Sequence, residues 1–174
     1  MQSADYIELH AHSSHSLLDG VPAPGDLVAQ AAAFDMPSVA LTDHDGLYGA
    51  IPFIDAAEQA GVKPILGAEL TLSTGTHLVL LAETTHGYAN LSQLITLAHQ
   101  GQPKSTARLS PNDLAPRTEG LIALSGCRRG VITRHLVAGE PERALKAAVH
   151  YRNLFGPDHF FIELQRHYHP GDAH

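Results

Sequence analysis

The sequence predicts an α/β fold in which short strands and helices alternate and the strands form a parallel sheet. Runs of about four to six mostly apolar residues alternate with segments whose apolar residues recur at helical spacing. This alternation is typical of right-handed βα units. Side chains of metal-binding type follow several of the apolar runs, and the 174 residues, 44% of them apolar, suit a single domain.

The first half of the pattern begins with a short strand at residues 6–9. A helix is predicted over 24–34, because apolar residues recur three and four positions apart and a proline lies near its start. The next strand, 38–41, is ended by the polar segment TDHDG. A second helix over 50–60 follows, with Gly61 as its C-terminal cap.

The second half continues the alternation. A third strand at 64–66 runs into the segment GAEL, and the wholly apolar core of HLVLLA predicts a buried strand at 77–82. A helix over 88–99 and a strand at 120–125 come next. The segment between them, 101–120, is the longest predicted loop and is interpreted as a surface excursion within one domain.

The last predicted elements are a helix over 144–154 and a strand over 159–164. The chain shows no internal repeat at a fixed period and no low-complexity tract. Both observations favour one α/β domain over a repeat architecture or a linker.

The charge balance limits the partners that the chain can bind alone. Eleven Lys and Arg residues against eighteen Asp and Glu residues give a net charge of -7. Free-standing electrostatic binding of nucleic acid needs a basic surface, so this composition argues against it. A larger partner could still supply the positive charge.

The remaining composition favours a cytoplasmic protein without membrane association. The single cysteine excludes a disulfide framework within one chain and fits a reducing compartment. No apolar run is long enough to span a membrane, and the N-terminus lacks the pattern of a signal peptide. Histidine, the commonest metal ligand, occurs thirteen times, which is the first indication of a metal site.

Polar residues are concentrated where the predicted strands end. HAH follows the first strand, TDHD the second, Glu69 the third and SGC the strand at 120–125, whereas His77 begins the strand at 77–82. Loops at the carboxyl ends of parallel strands converge, so these residues become neighbours. His10 and His12 are two residues apart, so on a strand both face the same side and can bind the same ion.

Each of these residues also has a simpler interpretation. His15 fits a loop, Asp19 a turn, Asp43 a helix cap, Glu69 a solvated charge and Cys127 a small core residue. The other histidines of the middle and later chain are interpreted as surface or packing residues: His86, His99, His135, His150 and His159. The metal-site hypothesis therefore depends on the joint pattern at the strand ends, and imidazole, carboxylate and thiolate together favour zinc, manganese or iron.

The ordered segments LHAHSSHSLLDG, ALTDHDGLYGA, KPILGAEL, HLVLLAETTHGYANL, GLIALSGCRRG and FFIELQRH resemble the PHP (polymerase and histidinol phosphatase) domain. More narrowly, they resemble the N-terminal PHP domain of bacterial C-family DNA polymerase III alpha subunits. TDHDGLYGA and SGCRRG are most similar to the error-prone branch. The resemblance extends from about residue 6 to the end of the chain, so all of 1–174 is assigned to one PHP domain.

The resemblance implies a distorted (β/α)7-type barrel, truncated before its last strands, with a cleft for two or three divalent ions. The implied ions are zinc or manganese, with iron as a further option. The implied metal ligands are His10, His12, Asp19, His44, Glu69, His77 and Cys127. Asp43 is implied as a support for His44, and His86 is the nearest competitor of His77.

Two positions assign the branch, and one expected motif is missing. Asp19 and Cys127 stand where stand-alone phosphatases usually carry histidine, so both favour the polymerase branch. The family pattern continues with another strand and an Asp-x-His pair, and the chain stops at HYHPGDAH before that strand and its motif, so His167, His169 and His174 are not assigned to it. We therefore expect either a fragment of a longer polymerase or a truncated gene product, without the polymerase core.

Three functions follow from these observations. The first is the PHP portion of an error-prone polymerase for translesion or repair synthesis, with a structural or residual 3'-5' exonuclease or phosphoesterase cleft. Its expected partners are the polymerase core in cis, DNA through the whole protein, and accessory replication or repair proteins. The second is a stand-alone metal-dependent phosphoesterase of the histidinol-phosphatase type, and the third is a non-catalytic interaction scaffold.

Overall fold

A mixed β-sheet with helices packed against it forms the fold in the computed structural model, which describes residues 6–104 and 106–165. Within these residues the strands are β1 (Ser38–Leu41), β2 (Lys63–Thr71), β3 (His77–Ala82), β4 (Leu121–Leu124) and β5 (Phe160–Phe161). The helices are α1 (Pro24–Ala33), α2 (Ala50–Ala60), α3 (Thr85–His99), α4 (Val131–Val137) and α5 (Pro141–Phe155). Two short 3-10 helices, Pro111–Asp113 and Ala115–Arg117, interrupt the long loop.

The strands lie in the order β1-β2-β3-β4-β5. β1 is parallel to β2 and β4 is parallel to β5, but β3 is antiparallel to both of its neighbours. Four of these strands therefore run in one direction and β3 runs in the other. The prediction of a wholly parallel sheet is wrong at β3, because only residues 72–76 connect it to β2. So short a connection makes a hairpin, whereas a parallel crossover needs a dozen residues or more.

The sheet curls so that its two edges approach each other. Residues 6–12 run beside β1, where Ala40 N–H donates to the Glu8 carbonyl at 2.8 Å, although only a single bridge forms at the predicted strand 6–9. Across the opening, Nδ1 of His10 lies 2.7 Å from a carboxylate oxygen of Glu163, beyond β5. A cavity of about 900 Å³ opens between the two edges, and its lining includes Tyr6, Lys63 and Ile162. Within the described residues the sheet thus has the form of an open barrel, in agreement with the barrel that the resemblance implies.

The buried side chains form a core on each face of the curled sheet. The largest group lies between the sheet, α3 and α5 and includes Leu80, Leu91 and Phe155. A second group packs α1 and α2 against β1 around the fully buried Phe53. A small group inside the curl includes Val79. Each large apolar side chain buried in this way stabilises the fold by about 1.5–3 kcal/mol.

Most element boundaries agree with the predictions, and the differences have local causes. β1, β3 and α2 are confirmed over the predicted ranges, and α2 ends at Gly61, whose φ of 69° favours glycine. α3 begins earlier than predicted because the Thr84 hydroxyl accepts a hydrogen bond from Gly87 N–H and caps the helix. α4 was not predicted, since its seven residues are too few for a clear periodic pattern.

No helix in the described part of the chain has both the length and the apolar character that a membrane crossing requires.

Candidate metal centre

The candidate site lies at one end of the strands, where β1, β2 and β4 end and β3 begins. Because β3 runs in the opposite direction, its first residue, rather than its last, lies at this end of the sheet. His77 therefore lies beside residues that follow the other strands. Two isolated parallel bridges connect the backbone segments at this end of the strands, one between His44 and Glu69 and one between His77 and Gly130.

Glu69 is the central residue of the site. Its Oε2 atom lies 3.5 Å from Nε2 of His10, 3.1 Å from Nε2 of His12 and 3.3 Å from Nε2 of His44. Its Oε1 atom lies 3.0 Å from Nδ1 of His77. The carboxylate thus contacts a ring of imidazoles drawn from three separate segments of the chain.

The backbone of β2 fixes Glu69 in this position. The extended β2 continues through GAEL, so Glu69 lies within the strand and its side chain is only 1% exposed. Its backbone N–H donates to the Asp43 carbonyl at 3.2 Å, and its carbonyl accepts from Asp45 N–H at 3.0 Å. Burial alone would raise the pKa of Glu69, but hydrogen bonds from His10 and the other histidines outweigh it and hold that pKa well below its usual range.

The two histidines of HAH face the same side, as their spacing predicts. Nε2 of His10 lies 3.2 Å from Nε2 of His12, and the two rings meet edge to face. The Nδ1 atom of His10 points the other way, toward Glu163. Burial lowers the pKa of His10, but the hydrogen bonds to Glu163 and Glu69 outweigh it and raise that pKa to about 9.

Asp19 approaches the histidines from a tight turn at the solvent side. Its Oδ2 atom lies 2.8 Å from Nε2 of His44 and 3.8 Å from Nδ1 of His12. The preceding residue, Leu18, has a φ of 67°, which turns the chain back toward the site. The hydrogen bond to His44, together with the charge of Arg129, holds the pKa of Asp19 below its usual value.

Asp43 supports the turn that carries Asp19, rather than contacting the His44 ring. Its buried carboxylate accepts from Ser13 N–H at 2.7 Å, from the Ser13 hydroxyl at 2.7 Å and from the Ser16 hydroxyl at 2.6 Å. The Ser16 hydroxyl oxygen in turn accepts from His44 N–H at 3.1 Å. Asp43 therefore positions the loop of Asp19 relative to the loop of His44.

Cys127 lies in the loop that follows β4. Its thiol donates to Oε1 of Glu69 at 3.3 Å, and its sulfur accepts from Arg129 N–H at 3.4 Å. The loop is tight, because a Cβ on Gly130 would lie 2.2 Å from the Ser125 carbonyl oxygen. Burial and the nearby Glu69 carboxylate raise the pKa of the Cys127 thiol to about 11.

The predicted ligands come together as overlapping groups. The donor atoms form three sets, and the atoms within each set lie within 4.8 Å of one another. The sets are His10, His12 and Glu69; His12, Asp19 and His44; and His44, Glu69 and His77. Cys127 adjoins them through Glu69. His86 lies outside these sets, with its side chain 62% exposed beside Glu119. His167, His169 and His174 lie outside the described residues.

One functional contact was not anticipated from the sequence. Glu163 lies against His10, and Gln165 Nε2 lies 3.1 Å from the same His10 nitrogen. Both belong to the segment FFIELQ, most of which lies within the strand predicted over 159–164, whereas the observed β5 ends at Phe161 and leaves them after the strand, as HAH lies after the first. The same strand-end pattern could therefore have identified them, had the strand been taken to end at β5.

The family model of the PHP domain matches residues 8–167. The chain is 45% identical to an error-prone DNA polymerase of Symbiobacterium thermophilum, over 96% of this chain and 17% of that protein. It is 37% identical to the DNA polymerase III subunit alpha of Borreliella burgdorferi, over 93% of this chain and 15% of that protein. The chain thus spans only about a sixth of the length of these curated relatives.

A similar solved structure comes from Bacteroides vulgatus and is described as a two-domain protein containing a predicted PHP-like metal-dependent phosphoesterase. The identity is 17% and the TM-score 0.48, over 71% of this chain and 36% of that chain.

Proposed function

The chain belongs to the PHP domain family, and on that premise we propose that it is the PHP portion of an error-prone DNA polymerase of the polymerase III alpha type. The observation that supports this proposal most strongly is the 45% identity over 96% of the chain to a polymerase more than five times its length. The polymerase core in cis is then its main partner, and DNA and accessory replication or repair proteins are reached through the whole protein. The proposed setting is the cytoplasm, with synthesis across damaged DNA as the task.

The proposed role of the cleft is to bind two or three divalent ions. Its ligands would be His10, His12, Asp19, His44, Glu69, His77 and Cys127. The geometry supports this proposal because the three donor groups overlap, and Glu69, whose carboxylate offers two oxygens, belongs to two of them. Imidazole, carboxylate and thiolate donors suit zinc or manganese, and also iron.

The chemistry of the cleft would be hydrolysis of a phosphoester, as a residual 3'-5' exonuclease or phosphoesterase. Bound divalent ions would supply Lewis acidity toward the oxygens of the phosphoester. The buried Glu69 and the histidines would hold these ions, and Asp19, on the solvent side with its side chain 49% exposed, would border the entrance for the substrate. Arg129 lies in the same loop as Cys127 and donates its backbone N–H to the Cys127 sulfur at 3.4 Å, so a cationic residue borders the proposed site and would favour an anionic substrate.

The experiment that tests the metal proposal is element-resolved metal content of the purified chain beside the double variant His12→Ala, Glu69→Ala. Two or more equivalents of zinc, manganese or iron, lost in the variant, are expected. No bound metal in the wild-type chain would contradict the proposed cleft. Digestion of DNA 3' ends, compared with turnover of a phosphomonoester by the metal-loaded chain, then separates an exonuclease from a small-molecule phosphatase.

The polymerase setting has its own test. The gene that encodes this chain should also encode a polymerase core in the same reading frame. A gene without such a core would contradict the proposed polymerase setting and favour the stand-alone phosphoesterase.

A further inference from the structure

Glu163 is a largely buried carboxylate outside the proposed ligand set. Its side chain is 11% exposed, and it follows β5 at the edge of the sheet. Its backbone N–H donates to the Ser125 hydroxyl at 2.9 Å, and Ser125 N–H donates to the Phe161 carbonyl at 3.0 Å. These two bonds attach the segment after β5 to the end of β4, so Glu163 extends from a fixed backbone.

The carboxylate of Glu163 selects one orientation of the His10 ring. Oε1 of Glu163 lies 2.7 Å from Nδ1 of His10. An ionised carboxylate can only accept, so the 2.7 Å contact places the hydrogen on Nδ1. The longer 3.1 Å approach of Gln165 Nε2 to this nitrogen is then not a hydrogen bond, because both atoms carry hydrogens. In a neutral ring with its hydrogen on Nδ1, the lone pair is on Nε2. That nitrogen faces the cleft, 3.5 Å from Oε2 of Glu69.

A second side chain holds the carboxylate in place. The amide of Gln165 donates from Nε2 to the same Oε1 atom of Glu163. The other oxygen of Glu163, Oε2, is buried and has no hydrogen-bond partner among the described residues. The carboxylate therefore makes its bonds through one oxygen, and this oxygen is the one directed at His10.

We propose that Glu163 is a positioning residue that holds the His10 ring with Nε2 in the cleft and thereby sets the metal affinity of the site. This inference rests on the proposed function, in which His10 binds a metal ion. Histidines that bind metals commonly donate their second ring N–H to a carboxylate, and losing that partner lowers the affinity about 10- to 100-fold. A purely structural role, in which the contact only joins the two edges of the sheet, is the alternative.

The test compares zinc affinity, by competition with a chromophoric chelator, among the wild-type chain and the variants Glu163→Gln and Glu83→Gln. Glutamine keeps the size of the side chain but removes its charge. We expect Glu163→Gln to bind zinc about 10- to 100-fold more weakly. Glu83→Gln is the matched control, because Glu83 pairs with His159 at 3.2 Å and belongs to none of the three donor groups, so zinc affinity should not change.

The melting temperature of each metal-free protein separates the two roles. A lower melting temperature of Glu163→Gln with unchanged zinc affinity would leave only the structural role and overturn the proposal. If the wild-type chain binds no zinc, the proposed metal function itself fails. If the wild-type chain and Glu163→Gln bind zinc equally well, only the positioning role fails.

A measurement on the wild-type chain keeps the proposal testable even if Glu163→Gln does not fold. Two-bond ¹H–¹⁵N correlation spectra of the zinc-loaded chain, labelled at histidine, report which ring nitrogen carries the hydrogen. We expect His10 to show a protonated Nδ1 and a zinc-bound Nε2. A His10 ring that binds zinc through Nδ1 would overturn the proposal.

Discussion

The Oε2 atom of Glu69 lies 3.1 Å from the Nε2 atom of His12, and both residues belong to two of the three donor groups. Asp19, in contrast, belongs to one group only. In the proposed metal centre, Glu69 and His12 therefore lie where the donor groups overlap, whereas Asp19 lies at the rim.

Glu69→Gln should remove more metal than Asp19→Asn. The amide has no negative charge to share between ions, so we expect Glu69→Gln to lose at least two equivalents and Asp19→Asn at most one. Inductively coupled plasma mass spectrometry of the purified variants measures this. Glu140→Gln, at a partly exposed carboxylate that binds His135 and Arg143, is the control and should keep all metal. Equal losses in the Glu69 and Asp19 variants would contradict the shared-ligand arrangement.

His77→Ala and His86→Ala should behave differently. The His77 side chain is 8% exposed and lies 3.0 Å from Glu69, whereas the His86 side chain is 62% exposed and lies beside Glu119. We expect His77→Ala to lower the metal content and His86→Ala to leave it unchanged. Metal loss in His86→Ala with retention in His77→Ala would reverse the assignment.

Asp43→Asn should destabilise the fold by about 1–3 kcal/mol, because the amide places an N–H₂ group against donors that need an acceptor. Asp43 accepts three hydrogen bonds from Ser13 and Ser16 and is 1% exposed. Urea unfolding of the metal-free protein measures the loss. Asp55→Asn, on the exposed face of α2, is the control. A change within about 0.5 kcal/mol in Asp43→Asn, the size usual for surface substitutions, would contradict the role of this network.

The metal-free protein should lose stability at alkaline pH through His10. The pKa of this residue rises on folding from its ordinary 6.5 to about 9. Its contribution, on the order of 3 kcal/mol, is therefore fully present below pH 6.5 and is lost as the pH rises toward 9. Denaturant unfolding between pH 6 and pH 9.5, in the presence of a chelator, should show this loss in the wild type. A His10→Gln variant should show a flatter profile over the same range, and an equally steep profile would contradict the assignment.

Metal binding should release protons and become tighter as the pH rises. In the metal-free protein the pKa of His10 is about 9 and that of Cys127 about 11, so both carry protons near neutral pH that metal ligation must displace. Calorimetry in buffers of different ionisation enthalpy counts the protons released. Cys127→Ser should release fewer. Binding without proton release near neutral pH would exclude His10 and Cys127 as ligands.

Much of the fold follows from local patterns in the sequence. The apolar segment 38–41 and the helical period of Ala50–Ala60 define their elements without help from the rest of the chain. β2 was predicted too short, because Gly67 and Ala68 resemble a loop when read alone. Their burial depends on pairing with β3. The direction of β3 follows from the short hairpin connection rather than from its own residues.

The site was predicted as a set of residues but not as a geometry. Strand-end position identified His10, His12, His44 and Glu69, because such residues converge whichever helices lie between them. The support of the site could not be found in the same way. The bonds of Asp43 to Ser13 and the contact of Glu163 with His10 join segments 30 and 153 residues apart, and no local pattern encodes such pairings.

The contact between His10 and Glu163 also has a consequence for biosynthesis. A ribosome adds about 5–20 residues per second, so the 153 residues that separate His10 from Glu163 take roughly 8–30 s to synthesise. During that time His10, His12, His44, Glu69 and His77 have all been made, but the partner that orients His10 has not. An ion captured early would therefore meet an incompletely ordered set of ligands.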